Sequence, residues 1–305
     1  MVSRRTFLAG AISALPVLRG AAAEAVEFTN ISDTHVMLLE GVDARWVERR
    51  KHYEHTREAL AAFWQRLKAA HNPAFVLHTG DAIDAYSFLG AQGGTVLGQI
   101  EAFAGPARRS PAPVHLALGN HDVLDYGEKL EGDQSVVEAA KAAWIQAMPC
   151  FRGGTYYHFA QQAGAARWRV VVLNNGCYGQ FPGREAPLRG GELDAGQLDW
   201  MERELRRFAG EPMVIGVHIP PSEAAWAQMA AALGPREHLT AVFTGHLHGN
   251  NFIRELPGTG APAFHIATPG YCTGADHWRR VRLDGGAMEV FKAGSPETVE
   301  RRLTK

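Results

Sequence analysis

The chain has 305 residues, 46% of them hydrophobic and 21% charged, with a formal net charge of −1. Such a balance suits one globular α/β domain and excludes disordered and fibrous classes. No basic stretch carries interleaved aromatics, so a nucleic-acid groove has no support.

Residues 1–23 have the pattern of an export leader. Ser3-Arg4-Arg5-Thr6-Phe7-Leu8 is a twin-arginine motif, followed by an apolar stretch from Phe7 to Leu18 and the small run Ala21-Ala22-Ala23. The apolar stretch is too short for a comfortable membrane span. Cleavage after Ala23 is expected. It would release a mature domain, 24–305, into the periplasm through the twin-arginine machinery; an uncleaved anchor is the alternative. Cys150, Cys177 and Cys272 are an odd set for an oxidising compartment. They are expected to be buried small residues rather than a disulfide plus one thiol, and none has metal-ligand spacing.

In chain order, the first predicted strand is 26–31, ending in Asp33-Thr34-His35. Residues 36–50 are expected to form a loop over the site, with Arg49-Arg50-Lys51 as a solvated face. A helix over 52–70 places Tyr53, Leu60, Phe63, Trp64 and Leu67 in a core. The strand 75–79 holds His78, taken as a satisfied core histidine, and leads into Gly80-Asp81-Ala82-Ile83-Asp84. Tyr86 is a candidate substrate contact, whereas Gly93-Gly94 is too isolated to cradle phosphate. The strand 114–118 leads into Gly119-Asn120-His121-Asp122.

A helix over 133–148 stops at Pro149. Runs 155–161 and 167–174 form a hairpin that begins a second sheet, with Asn174-Asn175-Gly176 expected as a turn in preference to a reach from the strand end to the site rim. Asp194 is the expected cap of a helix reaching Phe208, with Gln197 in capping-box position. The strand 214–217 delivers His218, and Pro220-Pro221 keeps the chain extended after it. A helix over 223–233 and a strand over 239–244 lead to Gly245-His246-Leu247-His248. Closing strands follow at 252–256, 264–268, 278–283 and 288–291. Arg279-Arg280 is taken as solvated, and 297–305 as a frayed charged tail.

Five times, an apolar β-rich run stops and a metal-capable side chain follows within a residue or two. Open α/β sheets bind ligands outside the carboxyl ends of their strands. Asp33, His35, Asp81, Asn120, His218, His246 and His248 offer nitrogen and oxygen donors and no thiolate, which suits Mn, Fe or Zn. Seven ligands are too many for one catalytic ion with an open position. They suit two ions about 3.5–4 Å apart that share a carboxylate.

The series Asp-x-His, Gly-Asp-x-x-Asp, Gly-Asn-His-Asp, His and Gly-His-x-His, from Asp33 to His248, resembles the calcineurin-like metallophosphoesterase superfamily. The resemblance implies a four-layer α-β-β-α sandwich of two mixed sheets flanked by helices. It implies one metal on Asp33, His35, Asp81 and His248, and a second on Asn120, His218 and His246, with Asp81 bridging. It also implies that His121 faces the substrate and that Asp84 pairs with it.

The chemistry agrees. Bound metals lower the pKa of a bridging water, and the resulting hydroxide attacks phosphorus while His121 stabilises charge or protonates the leaving alkoxide. The expected substrate is a small phosphodiester or phosphomonoester. Asp84 is followed by Ala85-Tyr86 rather than the Arg-Gly of resembling protein phosphatases, so a phosphoprotein clamp is disfavoured. The alternatives are a nucleotidase or pyrophosphatase, and a metal-loaded binding protein without turnover. His121 and Asp84 argue against the last, because neither is needed merely to hold metal.

Overall fold

A computed structural model of the protein describes residues 24–38, 48, 50–70, 72–84, 94–126, 132–133, 135–177, 190–234, 238–257 and 262–304. Residues 1–23, where a leader is expected, most of the 36–50 loop and Tyr86 lie outside the described residues. The first half of the chain forms β1 (Val26–Ile31), α1 (Thr56–Ala70), β2 (Phe75–His78), α2 (Gly94–Arg108), β3 (Val114–Leu116) and α3 (Asn120–Val123). A short pair, β4 (Asp125–Tyr126) and β5 (Gly132–Asp133), and α4 (Val137–Ala147) follow. The second half forms β6 (Tyr157–Ala163), β7 (Ala166–Val172), α5 (Ala195–Trp200), β8 (Met213–Gly216), α6 (Glu223–Leu233) and β9 (Leu239–Thr244). It closes with β10 (Phe252–Glu255), β11 (Phe264–Ala267), β12 (Trp278–Asp284), β13 (Ala287–Lys292) and β14 (Ser295–Thr304).

Two mixed six-stranded sheets result, ordered β14-β13-β12-β1-β2-β3 and β10-β11-β9-β8-β7-β6. β1, β2 and β3 run parallel in the first sheet, and β7, β8, β9 and β11 in the second. Alternate residues of each strand face different layers. Phe28, Phe75, Leu77, Trp168, Val170, Val214 and Phe243 fill the space between the sheets, and Phe28 stacks on Phe75 at 4.7 Å. Val76 and Leu116 turn the other way, against Leu60, Phe63, Phe103 and Trp144 of the helices. On the far side, Val171, Ile215 and Val242 meet Met201, Leu205, Trp226 and Met229. The layers are therefore α-β-β-α, as the motif series implies. Each fully buried side chain of this size contributes about 1.5–3 kcal/mol relative to exposure.

The structure departs from several of these expectations. α2 was not foreseen, because Gly94, Gly98, Gly105 and Pro106 all disfavour helix. Packing of Ile100, Phe103, Ala104 and Ala107 into the first helical layer holds it. The terminal stretch is not a frayed tail: β14 pairs antiparallel with β13 and buries Leu303. Its outward charges blunt an exposed sheet edge. Arg279 is not solvated but fully buried, donating to Phe291 O of its own sheet and Ala267 O of the other, and pairing with Glu300 and Asn251. At α5, Asp194 caps as expected, accepting from Gln197 N at 2.9 Å. The Gln197 side chain does not complete the box. It accepts from Asn174 N–H and donates both to Asn174 O and back to Asp194 Oδ2.

Candidate active site

The five motif loops leave the carboxyl ends of β1, β2, β3, β8 and β9 and meet at one end of the paired sheets. Backbone bonds fasten loop to loop: Asp33 N–H donates to Gly80 O at 2.9 Å, His35 N–H to Asp81 O at 3.0 Å, and Gly245 N–H to His218 O at 3.0 Å. Asp33, His35, Asp81 and His246 have positive φ, between 41° and 67°. Such conformations cost on the order of 1–3 kcal/mol each and concentrate at functional sites. Gly119 and Gly245 are glycines for closeness of approach. A Cβ would collide with Asp81 at the first and with Ser32 and Asp33 at the second.

The donors converge in two clusters. In one, His35 Nε2 lies 3.0 Å from His248 Nε2, 3.6 Å from Asp81 Oδ2 and 3.9 Å from Asp33 Oδ1, and His248 Nε2 lies 3.3 Å from Asp33 Oδ1. In the other, His218 Nε2 lies 3.1 Å from both Asp81 Oδ2 and Asn120 Oδ1, and 3.3 Å from His246 Nδ1. One oxygen, Asp81 Oδ2, belongs to both. The other, Oδ1, accepts from His121 N–H at 2.8 Å.

Asp33, Asp81 and His218 are wholly buried. Burial alone would raise the Asp81 pKa, but facing histidines, His218 foremost, hold it well below the usual carboxylate range. Burial pulls His218 down, yet Asp81 overrides it and the pKa rises to about 9. For His248, Asp33 likewise outweighs burial and lifts the pKa to about 10. The carboxylates thus draw positive charge to this point. Ring nitrogens and carboxylate oxygens aimed at common centres are the donor set that hard and borderline cations take. Among the described residues, Asp81, His218 and His246 have the spacing to hold one, as do His35, Asp81 and His121. The residues present therefore fit a pair of cations.

His121 stands at the rim, with 17% of its side chain exposed. Its Nδ1 lies 3.1 Å from Asp84 Oδ1 but off a hydrogen-bonding angle. The ring stacks on Tyr126 at 4.4 Å, and the Tyr126 hydroxyl accepts from Asn120 Nδ2. Asp84 also faces His35 Nδ1 at 3.2 Å. The expectation that Arg50 belongs to a solvated face is overturned: Arg50 Nε donates to Asp84 Oδ2 at 2.8 Å and Nη2 to Oδ1. A buried carboxylate facing two imidazoles draws the guanidinium inward.

His78 is the core histidine expected. It accepts from Gly80 N–H at 3.2 Å, so Nε2–H faces Thr34 Oγ1 at 3.0 Å, and Thr34 donates to Ala82 O. Asn175 does more than make a turn. Its Oδ1 accepts from His218 N–H and Ile219 N–H, both at 3.0 Å. Tyr53, taken only as core, stacks on His35 at 4.9 Å and puts its hydroxyl 3.2 Å from His248 Nδ1. Cys272, set aside for its spacing, lies 3.6 Å from the same nitrogen. These contacts join residues far apart in sequence, and no local pattern announces them.

Residues 26–250 match the calcineurin-like phosphoesterase family, and the chain belongs to it. The fold is shared with a dimetal phosphatase from Danio rerio, at a TM-score of 0.64 and 15% identity over 92% of this chain and 98% of that one. An NAD nucleotidase from Haemophilus influenzae aligns at a TM-score of 0.48 and 15% identity, over 92% of this chain and 50% of its own. No curated protein matches the sequence.

Proposed function

We propose that this protein is an exported hydrolase of small phosphoric esters that works with two metal ions. Asp33, His35, Asp81 and His248 would hold one ion, and Asp81, Asn120, His218 and His246 the other. The observation that carries the reading is Asp81 Oδ2, one buried oxygen 3.6 Å from His35 Nε2 and 3.1 Å from His218 Nε2. A carboxylate so placed serves two ions at once. The relative from Danio rerio, described as a dimetal phosphatase, points the same way. Bound ions of this class supply Lewis acidity and water acidic enough to ionise near neutral pH. Mn, Fe and Zn all suit the donors.

The remaining chemistry belongs to the chain. His121, at the rim, holds a proton for the leaving oxygen and faces the phosphoryl group. Asp84 stands beside its Nδ1, at 3.1 Å. Asp84 also takes His35 Nδ1, which fixes that ring with Nε2 toward the carboxylates. Asn175 does the same for the loop of His218 through the backbone. The twin-arginine leader supports a periplasmic enzyme that receives its metals while folded, before export. Substrates are proposed to be small diesters or monoesters, because no arginine follows Asp84 in sequence to clamp a phosphoprotein.

The test is metal content of the mature protein, paired with hydrolysis of bis-p-nitrophenyl phosphate and p-nitrophenyl phosphate. Near two metals per chain with chelator-sensitive turnover is expected, and the preferred ester assigns the substrate class. One metal or none, with no turnover after Mn or Zn is restored, would overturn the reading in favour of a binding protein.

A further inference from the structure

The two ring nitrogens of His248 face different surroundings. Nε2 looks into the oxygen- and nitrogen-rich cluster, 3.3 Å from Asp33 Oδ1 and 3.0 Å from His35 Nε2. Nδ1 looks away from it, 3.6 Å from Cys272 Sγ and 3.2 Å from the Tyr53 hydroxyl. A histidine that binds metal through one nitrogen ordinarily gives its other N–H to a carboxylate or a carbonyl. Here that nitrogen meets a thiol and a phenol.

The sulfur is held in place rather than adrift. Cys272 N–H donates to Asp33 O at 3.0 Å, Tyr271 N–H to Ser32 O at 2.9 Å, and Gly270 N–H to His248 O at 2.9 Å. The turn that carries the thiol is thus pinned to the first and the last motif loops. Cys272 is 2% exposed and Tyr53 5%, and Met37 packs over both. His35, His248 and Cys272 each place a donor atom within 4.8 Å of the other two.

We propose that Cys272 Sγ and His248 Nδ1, with the Tyr53 hydroxyl beside them, form a site for one thiophilic divalent cation of the Zn²⁺ or Cd²⁺ class. A tetrahedral zinc with bonds of about 2.0–2.1 Å to nitrogen and about 2.3 Å to sulfur keeps those two atoms roughly 3.5–3.6 Å apart. The separation of 3.6 Å already meets that requirement. On binding, the thiol releases its proton to solvent and the sulfur–cation bond forms; His248 gives up the Nδ1 proton in the same way. His248 then stands between two kinds of cation, one soft on the Nδ1 side and one harder on the Nε2 side. A thiophilic ion arriving at Nδ1 changes the ring that serves the neighbouring cluster, which makes the phosphoesterase site sensitive to excess soft metal. This inference rests on the proposed function only in sharing His248.

The experiment titrates the metal-free mature protein with Co²⁺ and with Cd²⁺ and follows sulfur-to-metal charge transfer in the ultraviolet. X-ray absorption on the Zn²⁺-loaded protein accompanies it. Wild type is expected to gain the band, with Zn–S scattering at about 2.3 Å. The C150S and C177S variants should keep both, and C272S should lose both. The Y53F variant should keep the band while its Cd²⁺ affinity falls about 10-fold. If cations bind without the band, the oxygen–nitrogen reading of the main site stands and this inference falls. A band that survives in C272S also overturns it. Failure of any cation to bind would overturn both readings together. Should C272S not fold, as judged by its thermal melt, the Zn–S distance in wild type decides alone.

Discussion

The two halves of the candidate site present similar donors and hold them by different means. On one side, His35 and His248 are held by side chains: Asp84 at His35 Nδ1, Tyr53 stacked on His35, and Tyr53 and Cys272 at His248 Nδ1. On the other, the His218 ring is held against the main chain, and a side chain holds only its backbone. Its Nδ1 lies 2.8 Å from Thr79 O, and its own N–H donates to Asn175. A carbonyl is a fixed dipole that no substitution removes. A carboxylate, a phenol or a thiol is a choice at one position. The first half is therefore the adjustable one, and substitutions around it should change metal affinity without unfolding the chain.

The change with the largest expected effect removes what the halves share. Asp81→Ala should lower metal content from two per chain to one or fewer and kcat by on the order of 10³-fold. Elemental analysis with single-turnover kinetics reads both, and retention of two metals would break the bridging assignment. Next comes His121→Asn, which should reduce kcat by about 10²–10⁴-fold with both metals kept. An untouched rate for an alkyl ester would remove His121 from the chemistry. Asp84→Asn should weaken metal binding at the His35 cluster about 10–100-fold and spare the His218 cluster. Asn175→Ala should do the reverse, more mildly, because Thr79 O still holds the His218 ring. Competition with a coloured chelator distinguishes the two, and equal losses in both variants would erase the contrast between the halves.

Histidines away from the site sharpen it further. His218 and His248 are pushed up by buried carboxylates, whereas burial pushes His115, which stacks on Phe159 at 3.7 Å, down to about 4. Between pH 6.5 and 4 the unfolded chain binds the proton that folded His115 refuses. Stability therefore rises with pH across that window and is lost as pH falls, by up to about 3 kcal/mol. His115→Phe should flatten that part of a pH series of urea melts. An unchanged slope would contradict the assignment.

Much of this was legible in the sequence, for a physical reason. Asp33, His35, Asp81, Asp84, Asn120, His121, His218, His246 and His248 each follow an apolar run within a few residues, so strand periodicity alone brings them to one edge. The structure does gather all nine. Arg50, Tyr53, Tyr126 and Cys272 were not legible as site neighbours, because their contacts depend on how separate elements pack. The same limit hid α2, whose glycines and proline argue locally against the helix that tertiary packing imposes. It hid β14 as well, where the charges that protect a sheet edge look like those of a loose tail.

The central claim is that Asp81 joins two cation sites. Electron paramagnetic resonance of the metal-free protein refilled with Mn²⁺ tests it most directly. Two Mn²⁺ per chain with the spectrum of an exchange-coupled pair are expected, the coupling lost in Asp81→Ala. A fully active protein with a single Mn²⁺ per chain, or with two that do not interact, would contradict it.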